Sequence, residues 1–286
     1  MPLSTIAIVL VAAVAHAVWN TASKYKEGDT SLFVWAYTCA ATVLCIPLGI
    51  VPVVTGEQPL SWQLAAGSIV SAILHVVYSL TLQTGYDRSE LGVVYPVARG
   101  VSPVLTMVLA IFLVGERPSE TAILGGIVVV AGIVVLAGNP FRTGQRHPLR
   151  GVLWGAATGA MIAAYTLWDS YSVTTLHLVP FTYFAAMFLL QSLILTPRAL
   201  SRRGQIRTTI RTNAAPILII AVMCPLAYIL ILTALRTAPV ALVAPLRESS
   251  IVIGSLLAWR LFHEGHLARR ILGAVIVLAG IVAISI

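Results

Sequence analysis

The fold of this chain is decided by one stretch of sequence that occurs twice. Residues 99–134 read RGVSPVLTMVLAIFLVGERPSETAILGGIVVVAGIV, and residues 247–282 read RESSIVIGSLLAWRLFHEGHLARRILGAVIVLAGIV. The second copy lies 148 positions after the first and aligns with it without a gap. A shared apolar composition would match leucine and valine by chance, but not an arginine, a glutamate and two glycines in register. These pairs are Arg99/Arg247, Glu116/Glu264, Gly125/Gly273 and Gly132/Gly280, and they indicate an internal duplication.

The composition predicts a membrane protein. The 286 residues are 58% hydrophobic and only 10% charged. Soluble domains carry about 25% charged residues, so this chain cannot cover a water-facing surface. Its net charge of +8 comes from short basic stretches between apolar runs. That pattern indicates orientation in a bilayer and contact with acidic headgroups, and it does not favour nucleic acid as a partner.

Ten apolar runs approach the length of about 20 residues that a helix needs to cross the hydrocarbon core. The first run lacks the basic n-region and the cleavage site of a signal peptide, so we interpret it as the first span. The sequence therefore predicts an all-α membrane protein with about ten transmembrane helices. The runs cover residues 3–23, 32–54, 62–84, 91–114, 121–138, 151–171, 179–197, 214–235, 240–262 and 267–286.

The duplication divides the chain into two repeats, residues 1–138 and 151–286, joined by the loop 139–150. Tyr78 and Tyr228 extend the correspondence, because they lie 150 positions apart. Each repeat holds five predicted helices, and an odd number makes the two repeats insert in opposite orientations. Such inverted repeats are a common construction of secondary transporters, which bind substrate near the membrane midplane between the halves.

The basic loop residues lie mainly on one side of the predicted bundle. Connections that follow helices one, three, five, seven and nine carry nearly all of the loop lysines and arginines. The other side has little beyond Arg117 and Arg236. The positive-inside rule therefore predicts that the basic connections are cytoplasmic and that both termini are outside.

Charged residues are rare within the predicted spans, where a charge costs about 2.5–3.5 kcal/mol and is a functional hypothesis by default. Arg99 and Arg247 each follow a proline and should face each other across a pseudo-twofold axis. Two guanidiniums suit a carboxylate, phosphonate or phosphate group, which the planar fork binds bidentately. In the alternative interpretation, Arg247 and Glu248 pair internally and only fix the packing. Asp169 lies near a helix end and is expected at the membrane surface.

Aromatic and polar side chains on the same helices are candidates for the walls of a polar central cavity. Besides the two arginines, the candidates for substrate binding are Trp19, Asn20, Tyr78, Tyr95, Tyr165 and Tyr228. Glu248, His75 and His16 are candidates for coupling, because a carboxylate can take a proton or an ammonium and an imidazole titrates near physiological pH. A hydrogen-bonded structural role is equally open for either histidine.

Enzyme signatures are absent from the sequence. It contains no glycine-rich phosphate loop, no Walker lysine and no His/Glu pair at zinc spacing. We expect no cofactor and no bound metal. Glu116 and its copy Glu264 lie in equivalent turns, where each is expected to cap the helix that follows.

These paired motifs resemble the EamA-type branch of the drug/metabolite transporter superfamily. The resemblance rests on Tyr95-Pro96, Gly115-Glu116-Arg117, Gly125 and Gly132, and on the second copy, Pro245, Glu264, Gly273 and Gly280. It implies secondary transport of small metabolites or amino acids by alternating access, often export. It also implies cytoplasmic termini, opposite to the charge bias. The segments at 95–99 and 244–248 further resemble a subgroup associated with phosphonate use in bacteria.

We therefore expect a multi-pass protein of the bacterial inner membrane that exports an amino acid, an organic anion or an aminophosphonate. It would work as a monomer or homodimer, with protons as the candidate coupling ion. One alternative is an exporter of lipophilic cations, which predicts acidic residues without basic partners in the cavity. The other is a membrane scaffold subunit without transport activity, for which paired intramembrane arginines would matter only for stability.

Overall fold

The structure, a computed structural model, describes residues 1–23, 25–89, 91–137, 148–250, 252–253 and 267–285. These residues form eleven α-helices and no strand. The helix α4 continues into a π-helical turn at Ala110–Val114, which ends at Gly115 with φ of 78°. The helices are α1 Leu3–Ser23, α2 Thr30–Val54, α3 Trp62–Arg88, α4 Leu91–Leu109, α5 Glu120–Ala137, α6 Pro148–Thr174, α7 Pro180–Ser201, α8 Arg203–Thr212, α9 Ala214–Leu235, α10 Val240–Arg247 and α11 Leu267–Ser285.

Six helical segments in the described residues are long and apolar enough to cross a membrane. Two further helices, α5 and α11, contain the shorter apolar stretches Glu120–Val135 and Ile271–Ile284. The chain is therefore an all-helical, multi-pass membrane protein. The six segments are Leu3–Ser23, Thr30–Val54, Trp62–Leu82, Val97–Val114, Pro180–Ser201 and Ala214–Leu235.

Two helices differ from the sequence-based expectation. The short helix α8 forms within residues 198–213, which we expected as a polar connection. Its arginines recur every fourth residue and lie on one face, so it is too polar to be recognised as a span. The helix expected over 240–262 is interrupted after Arg247, where Glu248 and Ser249 form a turn.

The interruption is a tight turn that begins three residues after Pro245. The amide of Glu248 donates to the carbonyl of Pro245 at 3.0 Å, and the amide of Ser249 donates to Leu246 at 3.1 Å. These are bonds to the third preceding residue, tighter than those of an α-helix. Pro245 has no N–H to support the preceding turn. The repeat-equivalent helix α4 is continuous over Leu91–Leu109.

The last helices of the two repeats, α5 and α11, cross at their glycines. A Cβ built on Gly125 would lie 2.7 Å from the carbonyl oxygen of Gly280, and one on Gly132 would lie 3.0 Å from that of Gly273. Residues early in α5 therefore meet residues late in α11, and the two helices run antiparallel. Only glycine permits this closeness of two backbones.

The second helices of the repeats, α2 and α7, also pack antiparallel. Trp35 Nε1 donates to Thr196 Oγ1 at 3.0 Å, and the hydroxyls of Thr42 and Ser192 lie 2.8 Å apart. The first helix of each repeat packs against the other repeat. In the first repeat α1 packs on α9 and α10, whereas its counterpart α6 packs on α3 and α4. This arrangement brings α1, α3, α4, α6, α9 and α10 around one central space.

Glu116 corrects our expectation for the turn after α4. Its carboxylate accepts hydrogen bonds from the amides of Val240 and Ala241, each at 2.8 Å, and so caps α10 in the other repeat. The following helix, α5, is instead capped by Ser119, whose hydroxyl accepts from the Ala122 amide at 3.2 Å. The expectation was wrong because the sequence shows which residues can cap but not which helix end lies nearest. Glu264 lies outside the described residues.

Candidate functional site

A cavity of about 90 Å³ lies in the middle of the bundle. It is bounded by residues of α1, α2, α3, α4, α6, α7, α9 and α10. Most of the residues singled out from the sequence contribute to its wall. These are His16, Trp19, His75, Tyr78, Arg99, Tyr165, Tyr228 and Arg247.

Two predicted residues with described side chains, Asn20 and Glu248, do not contribute to that wall. The amide of Asn20 donates to the backbone carbonyl of His16 at 2.8 Å, within its own helix, so it serves α1 itself. The side chain of Tyr95 lies outside the part of the chain that the structure describes. Five wall residues come from α2 and α7, which carry no charge in their predicted spans and so gave no signal in the sequence: Tyr37, Phe184, Met187, Phe188 and Gln191.

The first polar group, here called the arginine cluster, consists of Arg99, Arg247, Glu248 and His16. Arg99 Nη1 lies 3.3 Å from Glu248 Oε2, and Arg247 Nη2 lies 3.4 Å from Glu248 Oε1. The two arginines are 6% and 4% exposed and Glu248 is fully buried. One carboxylate thus balances two guanidiniums, and the arginine cluster retains one positive charge.

Arg247 is incompletely satisfied. Its Nη1 donates to the Thr166 hydroxyl at 3.4 Å, a long hydrogen bond from a residue that the sequence did not single out. Its Nε is buried and has no hydrogen-bond partner among the described residues. A buried donor without an acceptor costs about 1–3 kcal/mol, so an added acceptor atom would be stabilised here.

His16 also lacks an acceptor. Trp19 Nε1 donates to His16 Nδ1 at 3.2 Å, and Arg99 Nη2 donates toward His16 Nε2 at 2.9 Å. Indole and guanidinium nitrogens are donors only, whereas a neutral imidazole accepts at one nitrogen and donates at the other. One N–H of His16 therefore always opposes another donor. An anionic oxygen between His16 and Arg99 would accept from both.

The second polar group, here called the aspartate cluster, corrects our expectation for Asp169. Asp169 is fully buried within the bundle and is not exposed on its surface. Its Oδ1 accepts from Ser71 at 2.7 Å and from Tyr183 at 2.5 Å, and its Oδ2 accepts from Tyr228 at 2.6 Å. Three hydroxyl donors on three helices hold this carboxylate in place. His75 completes the aspartate cluster.

His75 lies beside this carboxylate and also lines the cavity. Its Nδ1 lies 2.9 Å from the backbone carbonyl of Ser71 and 3.3 Å from the Ser71 hydroxyl, which already donates to Asp169. Both oxygens therefore accept, and Nδ1 carries the proton. Its Nε2 points toward Asp169 Oδ2 at 3.9 Å. Tyr165 stacks on the imidazole with ring centroids 4.1 Å apart, and Tyr228 approaches edge-on at 5.5 Å.

A signal in the sequence could have placed Asp169 in the interior. Trp19 and Trp168 lie 149 positions apart, and the same shift aligns His16 with Tyr165 and Asn20 with Asp169. In this alignment of α1 with α6, Asp169 directly follows Trp168, the counterpart of the cavity-wall residue Trp19. Within the described residues, no group of three or more His, Cys, Asp or Glu could hold a metal ion.

Comparison with known proteins bears on both the fold and the duplication. The model of the EamA-like transporter family matches the chain twice, over residues 3–138 and again over residues 149–286. No curated protein matches it. One similar solved structure is named only as the crystal structure of a protein. The alignment covers 99% of this chain and 96% of that chain, with a TM-score of 0.73 and 15% sequence identity. At that identity the likeness shows a shared fold alone.

Proposed function

We propose, from the premise that this chain belongs to the EamA-like transporter family, that it is a secondary transporter of a small polar metabolite with an anionic group. Arg99 and Arg247 would bind that group at the centre of the bundle. The candidate substrates are an amino acid, an organic anion or an aminophosphonate. Trp19, Tyr78, Tyr165 and Tyr228 would form the walls around the substrate.

The observation that carries the proposal is the charge of the arginine cluster. Two guanidiniums that are almost fully buried share the single carboxylate of Glu248. A buried charge without a partner is costly, and a substrate anion would supply the missing negative charge. The unpaired Nε of Arg247 and the opposed donors at His16 are further places where an anionic oxygen would be stabilised.

The cavity volume supports a small substrate. Pockets for drug-sized ligands measure about 300–1,000 Å³, whereas this cavity measures about 90 Å³. A water molecule occupies about 30 Å³ in the liquid, so the space suits a compound of a few heavy atoms. In this conformation the volume favours a small polar substrate over a lipophilic drug.

The duplication supports alternating access as the mechanism. Residues 1–138 and 151–286, joined by the loop 139–150, would form two inverted five-helix repeats with ten membrane crossings in all. The antiparallel crossings of α5 with α11 and of α2 with α7 favour this arrangement. The interruption of α10 beside Arg247 is a feature of transporter helices that bind ligands at the midplane. We infer export across a bacterial inner membrane.

Of the three candidates for coupling, two are tied to the arginine cluster. Both carboxylate oxygens of Glu248 face a guanidinium, and both ring nitrogens of His16 face a donor. We propose that these two residues position the arginines. His75 is left as the residue that would exchange a proton.

The experiment is counterflow in proteoliposomes with a panel of amino acids, organic acids, 2-aminoethylphosphonate and lipophilic cations. Wild type is compared with Arg99→Gln, Arg247→Gln and the control Arg236→Gln, which changes an exposed loop arginine. We expect saturable exchange of an anion or zwitterion that both cavity variants lose and the control retains. Size-exclusion profiles establish that each variant is folded.

The alternatives predict other outcomes. Exchange of lipophilic cations alone, with no dependence on Arg99 or Arg247, would favour the cation exporter and contradict the site. Absence of exchange for every compound, with folded protein, would favour the scaffold.

A further inference from the structure

We propose that the substrate also carries an ammonium group, which binds at the Nε2 lone pair of His75, and that a proton displaces it there. This inference rests on the proposed function, because it assigns the second end of the same cavity. The substrate would then be a zwitterion, either an amino acid or an aminophosphonate. Exchange of the ammonium for a proton would make the carrier a proton antiporter.

The lone pair of His75 is fixed by its hydrogen bond to the backbone. Nδ1 donates to the carbonyl of Ser71 at 2.9 Å, so neutral His75 carries no proton at Nε2. Among the described residues Nε2 makes no hydrogen bond, and its nearest charged atom is Asp169 Oδ2 at 3.9 Å. Neutral His75 therefore offers an acceptor in an otherwise donor-rich cavity.

Its surroundings favour a cation. The Asp169 carboxylate lies 3.9 Å from Nε2 and is held by the hydroxyls of Ser71, Tyr183 and Tyr228. Tyr165 stacks on His75 and makes an edge contact with Tyr78, with ring centroids 5.4 Å apart. Aromatic faces and a nearby carboxylate stabilise either an ammonium or an imidazolium. The two cations cannot occupy Nε2 together, because both use one lone pair.

Protonation of the other candidates would worsen their contacts. An added proton on His16 would oppose a donor at both nitrogens, since Trp19 and Arg99 already face them. A proton on Glu248 would leave both guanidiniums without their shared counter-charge. A proton on His75 instead meets Asp169, so it adds a favourable contact.

The charges around the cavity link the aspartate cluster to the arginine cluster. His75 and Arg247 line the same space of about 90 Å³. We infer that a small zwitterion in this space binds Arg247 with its anion and His75 with its ammonium. Protonated His75 would repel that ammonium. The titratable or charged groups around His75 are Tyr78 on α3, Tyr165 and Asp169 on α6, Tyr183 on α7, Tyr228 on α9, Arg99 on α4, His16 on α1 and Arg247 on α10.

The first test compares 2-aminoethylphosphonate with ethylphosphonate, which lacks the ammonium. Binding of both to purified full-length protein in detergent is measured by calorimetry over a range of pH. The ammonium of 2-aminoethylphosphonate lowers the pKa of its own phosphonate, so the ratio of the two affinities varies with pH even without His75, and His75→Gln measures that variation. Relative to His75→Gln, we expect the ratio for wild type to fall by about tenfold for each unit by which the pH is lowered once His75 is protonated.

Two variants control the comparison. His177→Asn changes an exposed loop histidine with φ of 55°, a conformation that asparagine tolerates, and should behave as wild type. Tyr183→Phe removes one of three hydrogen bonds to Asp169 without removing the charge, at a residue outside the cavity wall, and should keep the pH dependence. A ratio that does not vary with pH in wild type, or varies equally in His75→Gln, would overturn the proposal.

The second test needs no substrate. Nitrogen NMR of histidine-labelled protein in nanodiscs, with His75 identified by its loss in His75→Gln, should show a protonated Nδ1 and a bare Nε2 at alkaline pH. Both nitrogens should be protonated on acidification. A proton on Nε2 at alkaline pH would overturn the proposal. If neither phosphonate binds but the NMR result is as expected, the proposed substrate is wrong and the proton site stands.

Discussion

The two halves of this molecule share their scaffold and differ in their acids. Each half supplies one arginine to the cavity, Arg99 from α4 and Arg247 from α10. Glu248, which balances both, has Gly100 as its counterpart in the first half, and Asp169 has Asn20. Duplication explains why two arginines meet at the centre. Glu248 balances only one of the two arginines, so that end of the cavity keeps a positive charge. Asp169 places a negative charge near the other end, beside His75.

The backbone shows the same contrast. The helix α4 is continuous over Leu91–Leu109, whereas its counterpart α10 ends at Arg247 in a tight turn. Glu116 of the first half caps α10 of the second. A duplicated chain therefore does not have two interchangeable halves, and substitutions at equivalent positions should have unequal effects.

The largest difference is expected between Asp169→Ala and Asn20→Ala. Removal of Asp169 leaves the hydroxyls of Ser71, Tyr183 and Tyr228 without their acceptor. At about 1–3 kcal/mol for each buried unsatisfied group, the variant should lose several kcal/mol of stability. Asn20→Ala removes one hydrogen bond within α1 and should cost about 1 kcal/mol. Thermal unfolding in detergent measures both, and equal losses would contradict the asymmetry.

Glu248→Gln should come next. Removal of one partner of a buried ion pair costs about 3–5 kcal/mol, and here two arginines lose their shared carboxylate. An anion from solution can replace it, so inorganic phosphate should raise the unfolding temperature of Glu248→Gln more than that of wild type at constant ionic strength. Gly100→Glu in the Glu248→Gln background tests whether either half can supply the acid. Stability that is insensitive to phosphate in Glu248→Gln would count against an anion site.

Gly125→Ala tests the crossing of α5 and α11. The added methyl would lie 2.7 Å from the carbonyl oxygen of Gly280, so the backbones must separate, at a cost of about 1–3 kcal/mol. Gly100→Ala is the matched control, because a Cβ there meets no atom within 4 Å. Unchanged thermal unfolding of Gly125→Ala would contradict the close antiparallel crossing.

Glu116→Gln should have the smallest effect. The amide keeps one oxygen, which can accept only one of the two capping bonds from Val240 and Ala241. It also loses the charge that favours a helix N-terminus, and the two losses should cost about 1 kcal/mol. Glu120→Gln, in the exposed first turn of α5, should cost about half of that. Thermal unfolding of both variants measures these losses. A larger loss of stability for Glu120→Gln than for Glu116→Gln would contradict the capping of α10 by Glu116.

The sequence predicted the features that depend on how deep a residue lies in the membrane and on which positions of the two repeats correspond. Long apolar runs predicted ten membrane helices, and the described residues contain six segments long and apolar enough to cross a membrane. The 148-residue repeat predicted that Arg99 and Arg247 face each other, and both lie within 3.4 Å of Glu248. Tyrosines and histidines deep in those runs line the cavity because a polar group at that depth needs a polar neighbour.

What the sequence missed depends on tertiary contacts. Asp169 was placed at the surface because it lies near the end of its run, but α6 extends to Thr174 and the side chain faces α3. The α8 helix is too short and polar for hydropathy to reveal. The partner of Glu116 lies 124 residues away, a distance along the chain that no local pattern encodes.

The most direct test of the anion site is calorimetric binding of three related compounds at one alkaline pH: 2-aminoethylphosphonate, ethylphosphonate and ethylamine. For wild type, 2-aminoethylphosphonate should bind most tightly and ethylamine most weakly. Arg247→Gln should weaken both phosphonates by at least about tenfold, as expected when a buried charge–charge contact is removed. Ethylamine binding as tight as that of 2-aminoethylphosphonate, with no change in Arg247→Gln, would contradict the account.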